Sequence, residues 1–109
     1  MFEVLSQSVL SLKYVQVPVY GEVNGVVHDP TADTVQMAFP VQGVDPVSGD
    51  LKTASWEVDT TQTPNVYYAR CLVGPGGSVV LAVGRYDIWI KITDSPEQVY
   101  EKVGVLKIT

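Results

Sequence analysis

This sequence has very few of the residues that build disulfides, metal centres or general-base catalysis. Cysteine and histidine each occur once among 109 residues, as Cys71 and His28. One cysteine excludes an intrachain disulfide and permits synthesis in a reducing compartment. A metal site needs about three or four ligands, and a catalytic dyad needs a positioned partner. We therefore interpret His28 as a solvated turn residue and Cys71 as a small core hydrophobe, and predict no catalytic residue, metal or cofactor.

Basic residues and long apolar runs are also scarce. Seven Lys and Arg stand against twelve Asp and Glu, a net charge of −5. Such a surface repels phosphate backbones, so we expect no nucleic acid partner. No stretch approaches the roughly 20 apolar residues that span a bilayer, and Met1-Phe2-Glu3 does not begin a signal peptide. The sequence predicts a cytoplasmically made chain without a membrane partner.

The acidic and glycine-rich segments match no ion or phosphate site. Five aspartates in turn-like segments do not have the spacing of a calcium loop, and they suit local backbone hydrogen bonds better. They are Asp29, Asp33, Asp45, Asp50 and Asp59. Gly74-Pro75-Gly76-Gly77 lacks the lysine and following helix of a phosphate loop, so we interpret it as a turn.

What the sequence does have is valine, with 21 copies, in short runs between seven prolines and nine glycines. The branched Cβ of valine favours extended backbone. From Tyr14 to Tyr20 the alternation is strict, and Pro18 places this strand at a sheet edge because proline cannot donate to a ladder. Asn24-Gly25 predicts a tight hairpin. The pattern favours an all-β sandwich of about seven to nine short, mostly antiparallel strands.

Two predicted strands supply most of the expected core, and a tryptophan from a third strand is expected to pack with them. Thr34–Phe39 alternates with apolar residues on one face, as does the segment from Tyr86 to Ile92, and Ala54–Val58 is centred on Trp56. The predicted core and fold residues are Val35, Met37, Phe39, Trp56, Tyr86, Ile88, Ile90 and Ile92. Further strands are expected at Val66–Val73, Val79–Val83 and Gln98–Thr109, the last with a break at Gly104. The segment 40–52 is expected to be a loop.

The segment Gly84-Arg85-Tyr86-Asp87-Ile88-Trp89-Ile90-Lys91-Ile92 resembles a strand of immunoglobulin-like and fibronectin-like modules. There the tyrosine hydroxyl bonds back to nearby backbone to form a corner, and Tyr86 matches that position. We therefore expect residues 14–109 to form an immunoglobulin-like β-sandwich domain. Residues 1–13 are compatible with either an N-terminal arm or a first strand.

A longer set of segments resembles the small immunoglobulin-like virion proteins of actinobacterial tailed phages. It is distantly similar to the N-terminal domain of phage baseplate upper proteins. The segments are Asp29-Pro30-Thr31, Ala54-Ser55-Trp56, Tyr67-Tyr68-Ala69-Arg70, Leu72 to Gly77, Trp89 to Glu97, and Val103 to Leu106. The resemblance implies a non-enzymatic virion protein made in the host cytoplasm. It would lie at the head-to-tail junction, or decorate the capsid exterior, as a homo-oligomer contacting portal, connector, tail or capsid proteins.

Candidate contact residues lie in the N-terminal segment, on the edge strand and on the face opposite the isoleucine row, which consists of Ile88, Ile90 and Ile92. The candidates are Phe2, Leu5, Tyr14, Gln16, Tyr20 and Trp89. Trp89 is a plausible contact anchor, although it could instead cover its own sheet. A carbohydrate-binding module is the alternative from another class, with Trp89, Tyr68 and Tyr100 as a sugar platform if the fold brings them together.

Overall fold

This computed structural model describes residues 3–19, 22–23, 26–27, 31, 33–63, 65–94 and 97–109. The described residues form ten β-strands and one 3₁₀ turn (Ser48–Asp50), joined by loops. The strands are β1 (Glu3–Gln7), β2 (Lys13–Val19), β3 (Glu22–Val23), β4 (Val26–Val27), β5 (Thr34–Ala38), β6 (Lys52–Thr53), β7 (Ser55–Asp59), β8 (Val66–Val73), β9 (Gly84–Asp94) and β10 (Glu97–Ile108).

Two sheets form a sandwich, so the protein is an all-β fold. The large sheet has the order β1-β10-β9-β5-β6, and the small sheet has the order β2-β8-β7. The strands β3 and β4 form a separate hairpin, paired Glu22 to Val27 and Val23 to Val26, as Asn24-Gly25 predicts. Named strands pair antiparallel except β1 with β10. The strand β2 lies at a sheet edge, as Pro18 predicts.

The core lies between the sheets and is built by period-two alternation. Of the predicted core residues, Val35, Met37, Phe39, Ile88 and Ile90 are buried, while Tyr86, Ile92 and Trp56 are partly buried and pack against this cluster. The small sheet contributes the buried side chains Val15, Val17, Ala69, Cys71 and Val73. The hydrogen bond expected of Tyr86 is present, since its hydroxyl donates to the carbonyl of Ala82 at 2.9 Å.

Some sequence predictions about individual strands were wrong. The segment Val79–Val83 forms no strand and makes one isolated bridge, Val79 to Val73. The strand β9 has 11 residues, longer than the expected segment from Tyr86 to Ile92, because it pairs with β10 along its whole length. The strand β10 has the expected 12 residues, with bounds one residue earlier than predicted. The ladder shifts register between Lys102 and Gly104, where the sequence indicates a break. Trp56, by contrast, packs against the core as predicted, although it lies on the edge strand β7, and its Nε1 donates to the carbonyl of Asp33 at 3.0 Å.

The start of the chain belongs to the large sheet. Residues 3–7 form β1, which pairs in parallel with residues 104–108 at the end of β10. Because Leu5 and Gln7 face inward beside Leu106 and Ile108, the side chain of Gln7 becomes buried. Its Nε2 donates to the carbonyl of Val73 at 2.7 Å and to that of Ser11 at 3.0 Å. This amide therefore ties the large sheet to the last residue of β8 in the small sheet.

The substitution Gln7→Leu should lower the free energy of unfolding by about 2 kcal/mol. It keeps a similar volume but removes the donor from two carbonyl oxygens in a largely water-excluded place. Urea unfolding, followed by tryptophan fluorescence, measures this change. The control is Gln16→Leu, an exposed glutamine on β2. Equal midpoints for the two variants would contradict the structural role of Gln7.

Candidate assembly surface

The outer face of the small sheet contains two of the predicted contact residues. Tyr14 and Gln16 are exposed there on the edge strand β2. Leu5, by contrast, packs against the core and does not lie on the exposed face expected of a contact residue. Phe2 and Tyr20 lie outside the described residues. Of the contact residues predicted in the first 20 positions, the structure therefore describes only Tyr14 and Gln16 as exposed, both on the edge strand β2.

Arg70 orders the side chains on this small-sheet face. Its guanidinium carbon lies 4.0 Å from the centroid of the Tyr14 ring, a cation–π contact between β8 and β2. Its Nη2 lies 3.4 Å from Oε2 of Glu57 on β7. One guanidinium therefore links all three strands across the outer face, which keeps Tyr14 in a defined position.

Trp89 is only partly exposed, on the outer face of the large sheet. It contacts Tyr100 edge to face, with ring centroids 5.7 Å apart and ring planes at 84°. The residue paired with it on β5, Ala38, is fully buried, so the indole covers its own sheet while still reaching the surface. Tyr68 lies on the other sheet, on β8. The three aromatic residues proposed as a sugar platform are therefore not brought together into one flat surface.

A third surface was not predicted from the sequence and lies at one end of the sandwich. We call it the loop end: the connections 8–12, 39–51 and 74–83. These connections meet because β1, β5, β8 and β10 all end there and β9 begins there. An open depression of about 290 Å³ lies between the second and third connections, lined in part by Phe39, Asp50, Ser78 and Val80.

The loop end carries most of the exposed apolar side chains. Eleven large hydrophobic side chains are exposed in the described part of the chain, and seven of them belong to these three connections. They are Leu10, Leu12, Val41, Val44, Val47, Val80 and Val83, each between 48% and 85% exposed. Exposed apolar side chains concentrated at one end of a soluble domain indicate a candidate contact site. The loop end is therefore the strongest candidate contact surface in the structure.

The loops of this end are held in place by backbone and buried polar groups. Asp87, 3% exposed on β9, accepts the backbone N–H of Gly43 through Oδ2 at 2.9 Å. The N–H of Gln42 donates to the carbonyl of Arg85, and the N–H of Asp87 donates to that of Pro40. These bonds fix the loop 40–44 along the first residues of β9. The exposed valines thus stand on an ordered framework, which lowers the entropy cost of binding.

The sequence did carry a signal for the loop end. Loops connecting strands are usually polar, whereas the loops here contain five exposed valines. Period-two reasoning assigns valine to strands, and it placed Val80 and Val83 in a strand that does not exist. Valine inside a segment rich in Gly, Pro and Asp was the informative feature.

The described residues contain no group of three or more His, Cys, Asp or Glu that could hold a metal ion. His28 and Asp29 lie outside them. No helix in the described part of the chain has the length and apolar character needed to cross a bilayer. Asp59 instead caps its own turn, and its bonds to Thr61 and Gln62 lower the pKa of its carboxyl.

Cys71 is a core residue on β8, and its Sγ lies 3.8 Å from the carbonyl of Thr53. Burial raises the pKa of its thiol above the usual value, outweighing an opposing backbone hydrogen bond at Leu72 and the nearby charge of Lys52. A raised pKa leaves less thiolate at a given pH, and thiolate is the reactive form.

We therefore expect an aromatic disulfide reagent at pH 8 to modify the folded chain at least about a thousandfold more slowly than the urea-unfolded chain. A buried thiol reacts only when the domain opens, and even a marginally stable domain is open for a very small fraction of the time. The absorbance of the released thiolate follows the reaction. Rapid stoichiometric modification of the native chain would contradict this expectation.

Neither a protein family, nor a curated protein, nor a solved structure matches this chain.

Proposed function

We propose that this chain is a non-enzymatic structural protein of a tailed-phage virion, placed at the head-to-tail junction. The observation that carries the assembly role is the loop end, where seven of the eleven exposed large hydrophobic side chains in the described residues gather. A preformed apolar surface on a rigid sandwich suits docking to a portal, connector or tail protein. The sequence resemblance supplies the virion assignment.

The fold that we propose for this role is immunoglobulin-like. If β2, β5, β6, β7, β8, β9 and β10 are taken as strands B, C, C′, D, E, F and G, the sheet orders B-E-D and G-F-C-C′ follow. The bond from the Tyr86 hydroxyl to the carbonyl of Ala82, at the start of β9, is that of a tyrosine corner. Cys71 lies on β8 rather than on β2 or β9, so apolar packing replaces the usual disulfide between strands B and F.

The first test is the position of the chain in an assembled particle. Particles formed in cells that produce the chain are purified and analysed by mass spectrometry and cryo-electron microscopy. The proposal expects density for this sandwich at the neck, in a closed ring on the order of ten copies. Absence of the chain from mature particles would contradict a structural role, and hundreds of copies on the head would favour a decoration protein.

A second test asks whether the loop end makes the contact. The variant Val80→Asp places a charge in this apolar surface and should abolish incorporation into particles. The matched control, Val99→Asp, changes an exposed valine of β10 away from the loop end and should be incorporated normally. Both variants must show the thermal unfolding midpoint of the parent chain within a few degrees. Normal incorporation of Val80→Asp would contradict a contact through the loop end.

A further inference from the structure

The outer face of the large sheet holds most of the positive charge of this acidic chain. Four of the seven basic residues, Arg85, Lys91, Lys102 and Lys107, occupy outward positions on β9 and β10. These positions alternate with the inward residues Ile88, Ile90, Leu106 and Ile108, all of which are buried. Arg85 lies directly opposite Lys107 in the ladder, and Lys102 lies opposite Trp89. We call this surface the basic face.

The charge of the basic face contrasts with that of the remaining chain. Among the outward positions of β9 and β10 the only carboxylate is that of Asp87, which is buried and lies 4.0 Å from the Lys102 ammonium. The face therefore sums to +3, and the other residues, with three basic and eleven acidic side chains, sum to −8. A separation of this size steers association between complementary surfaces.

The centre of the basic face is built for contact. The perpendicular pair Trp89 and Tyr100 stands among the lysines, and Nζ of Lys91 lies 5.6 Å from the centroid of the Tyr100 ring. The Trp89 Nε1 atom is buried and has no hydrogen-bond partner within the described structure. Rigid aromatic side chains ringed by charged groups are typical of the anchors of protein interfaces.

The small-sheet face, on the opposite side of the sandwich, offers acidic groups. Glu57 and Asp59 take outward positions on β7, alternating with Val58 and with Trp56, which packs against the core. Oε2 of Glu57 lies 3.4 Å from Nη2 of Arg70, so this side presents two carboxylates beside one guanidinium. A basic face that met its own copy would bring lysine against lysine, which costs free energy. A basic face that met the acidic β7 side of the next copy would pair opposite charges.

We propose that the basic face binds the acidic β7 side of a second copy of this chain, in a head-to-tail contact. Such a contact is heterologous, and it generates a ring when the rotation between copies closes. This inference rests on the proposed assembly function and names one of its partners, the chain itself. The basic face lies on the side of the sandwich and borders the loop end at Arg85 and Lys107, so the two contacts use adjoining surfaces with different side chains.

Sedimentation velocity of the purified full chain tests the contact. We expect reversible self-association whose dissociation constant rises by about tenfold or more between about 50 mM and about 500 mM NaCl, because charged rims are screened by salt. The variant Arg85→Glu/Lys107→Glu should remain monomeric under conditions in which the parent chain associates. The control Lys13→Glu/Lys52→Glu makes the same change in net charge at two exposed basic residues outside the basic face, and it should associate.

A charge-swap mixture distinguishes this contact from general repulsion. The variant Glu57→Lys/Asp59→Lys should also be monomeric, since its β7 side then matches the charge of the basic face. An equimolar mixture of this variant with Arg85→Glu/Lys107→Glu should associate as the parent chain does, because each face then meets its opposite. Circular dichroism of both variants verifies that each is folded.

Three results would overturn the inference. They are a monomeric parent chain at about 1 mM, where even a weak contact is populated; failure of the charge-swap mixture to associate while both variants are folded; and binding of the basic face to a single-stranded oligonucleotide in the absence of self-association. None of these results affects the particle test, since the chain could still enter virions through the loop end. Conversely, absence from particles would contradict the proposed function while leaving a measured self-association intact.

Discussion

Replacing Gly74 by alanine should destabilise the fold by about 3 kcal/mol or more. Gly74 has φ +138°, a backbone conformation that residues with a Cβ rarely adopt. A Cβ at this position would also collide with the carbonyl oxygen of Ser11 and lie 2.8 Å from Cα of Leu12. Both neighbours are backbone atoms of the connection 8–12, which has to move as a unit to make room.

Urea unfolding midpoints of Gly74→Ala and of the control Gly49→Ala measure this effect. A Cβ on Gly49 would meet no atom within 4 Å, and its φ lies outside the left-handed range, so the control should stay within about 0.5 kcal/mol of the parent chain. A Gly74→Ala chain of parent stability would show that the connection 8–12 does not cross Gly74 as described. Because that connection is part of the loop end, we also expect Gly74→Ala to impair incorporation into particles.

Truncation of Ile88 to alanine should cost about 2 to 5 kcal/mol, the other large effect that we expect. Ile88 is fully buried in the middle of β9, the strand that pairs with both β10 and β5. Removal of its apolar atoms leaves a cavity that rigid strands on both sides cannot close, so the transfer and cavity terms add. The milder Ile88→Val should cost only about 0.5 to 1.5 kcal/mol.

The matched control for Ile88 is Val4→Ala on β1, where the side chain is 76% exposed, and its change should be close to zero. Guanidinium unfolding of all three variants gives the ranking Ile88→Ala, Ile88→Val, Val4→Ala in order of decreasing cost. If Ile88→Ala were no more destabilising than Val4→Ala, the isoleucine row would not form the core between the sheets.

The two proposed contacts use different chemistry and would respond differently to salt. The loop end is apolar, and its binding should persist at high ionic strength because burial of apolar surface is not screened. Binding through the basic face depends on charge pairs and should weaken at high ionic strength. In a ring, the basic face of each copy would bind the β7 side of the next copy. If the ring axis is parallel to the strands, all loop ends then point to the same side of the ring, which suits docking on a symmetric connector.

Much of the fold could be predicted from the residues, because strand alternation is a local property. Successive side chains of a strand point to opposite faces, so the spacing of Val35, Met37 and Ile90 is enough to predict that they point inward. The hydrogen bond of Tyr86 also follows from local chain geometry, as does the pairing of β3 with β4. Pro18 determines an edge strand because it lacks a donor.

The candidate site was less predictable, because it is built from residues far apart in the chain. Tyr14 and Gln16 were identified from their edge strand, and Trp89 from its outward position. Leu5 packs against the core, and its direction depends on the parallel pairing of β1 with β10, which the first residues alone do not encode. Gln7 was overlooked because only the tertiary fold brings it to the carbonyl of Val73.

By itself, then, the sequence determined that the chain is all-β, where most strands lie, which of their faces is apolar, and that an intrachain disulfide is not its means of stability. These properties depend on backbone propensity and period-two spacing, which act over a few residues. The tertiary structure decided which strands are neighbours, that three valine-bearing loops meet at one end, and that four of the seven positive charges share one face. Such properties arise from pairing between distant segments, because closing long loops brings together residues that no local pattern relates.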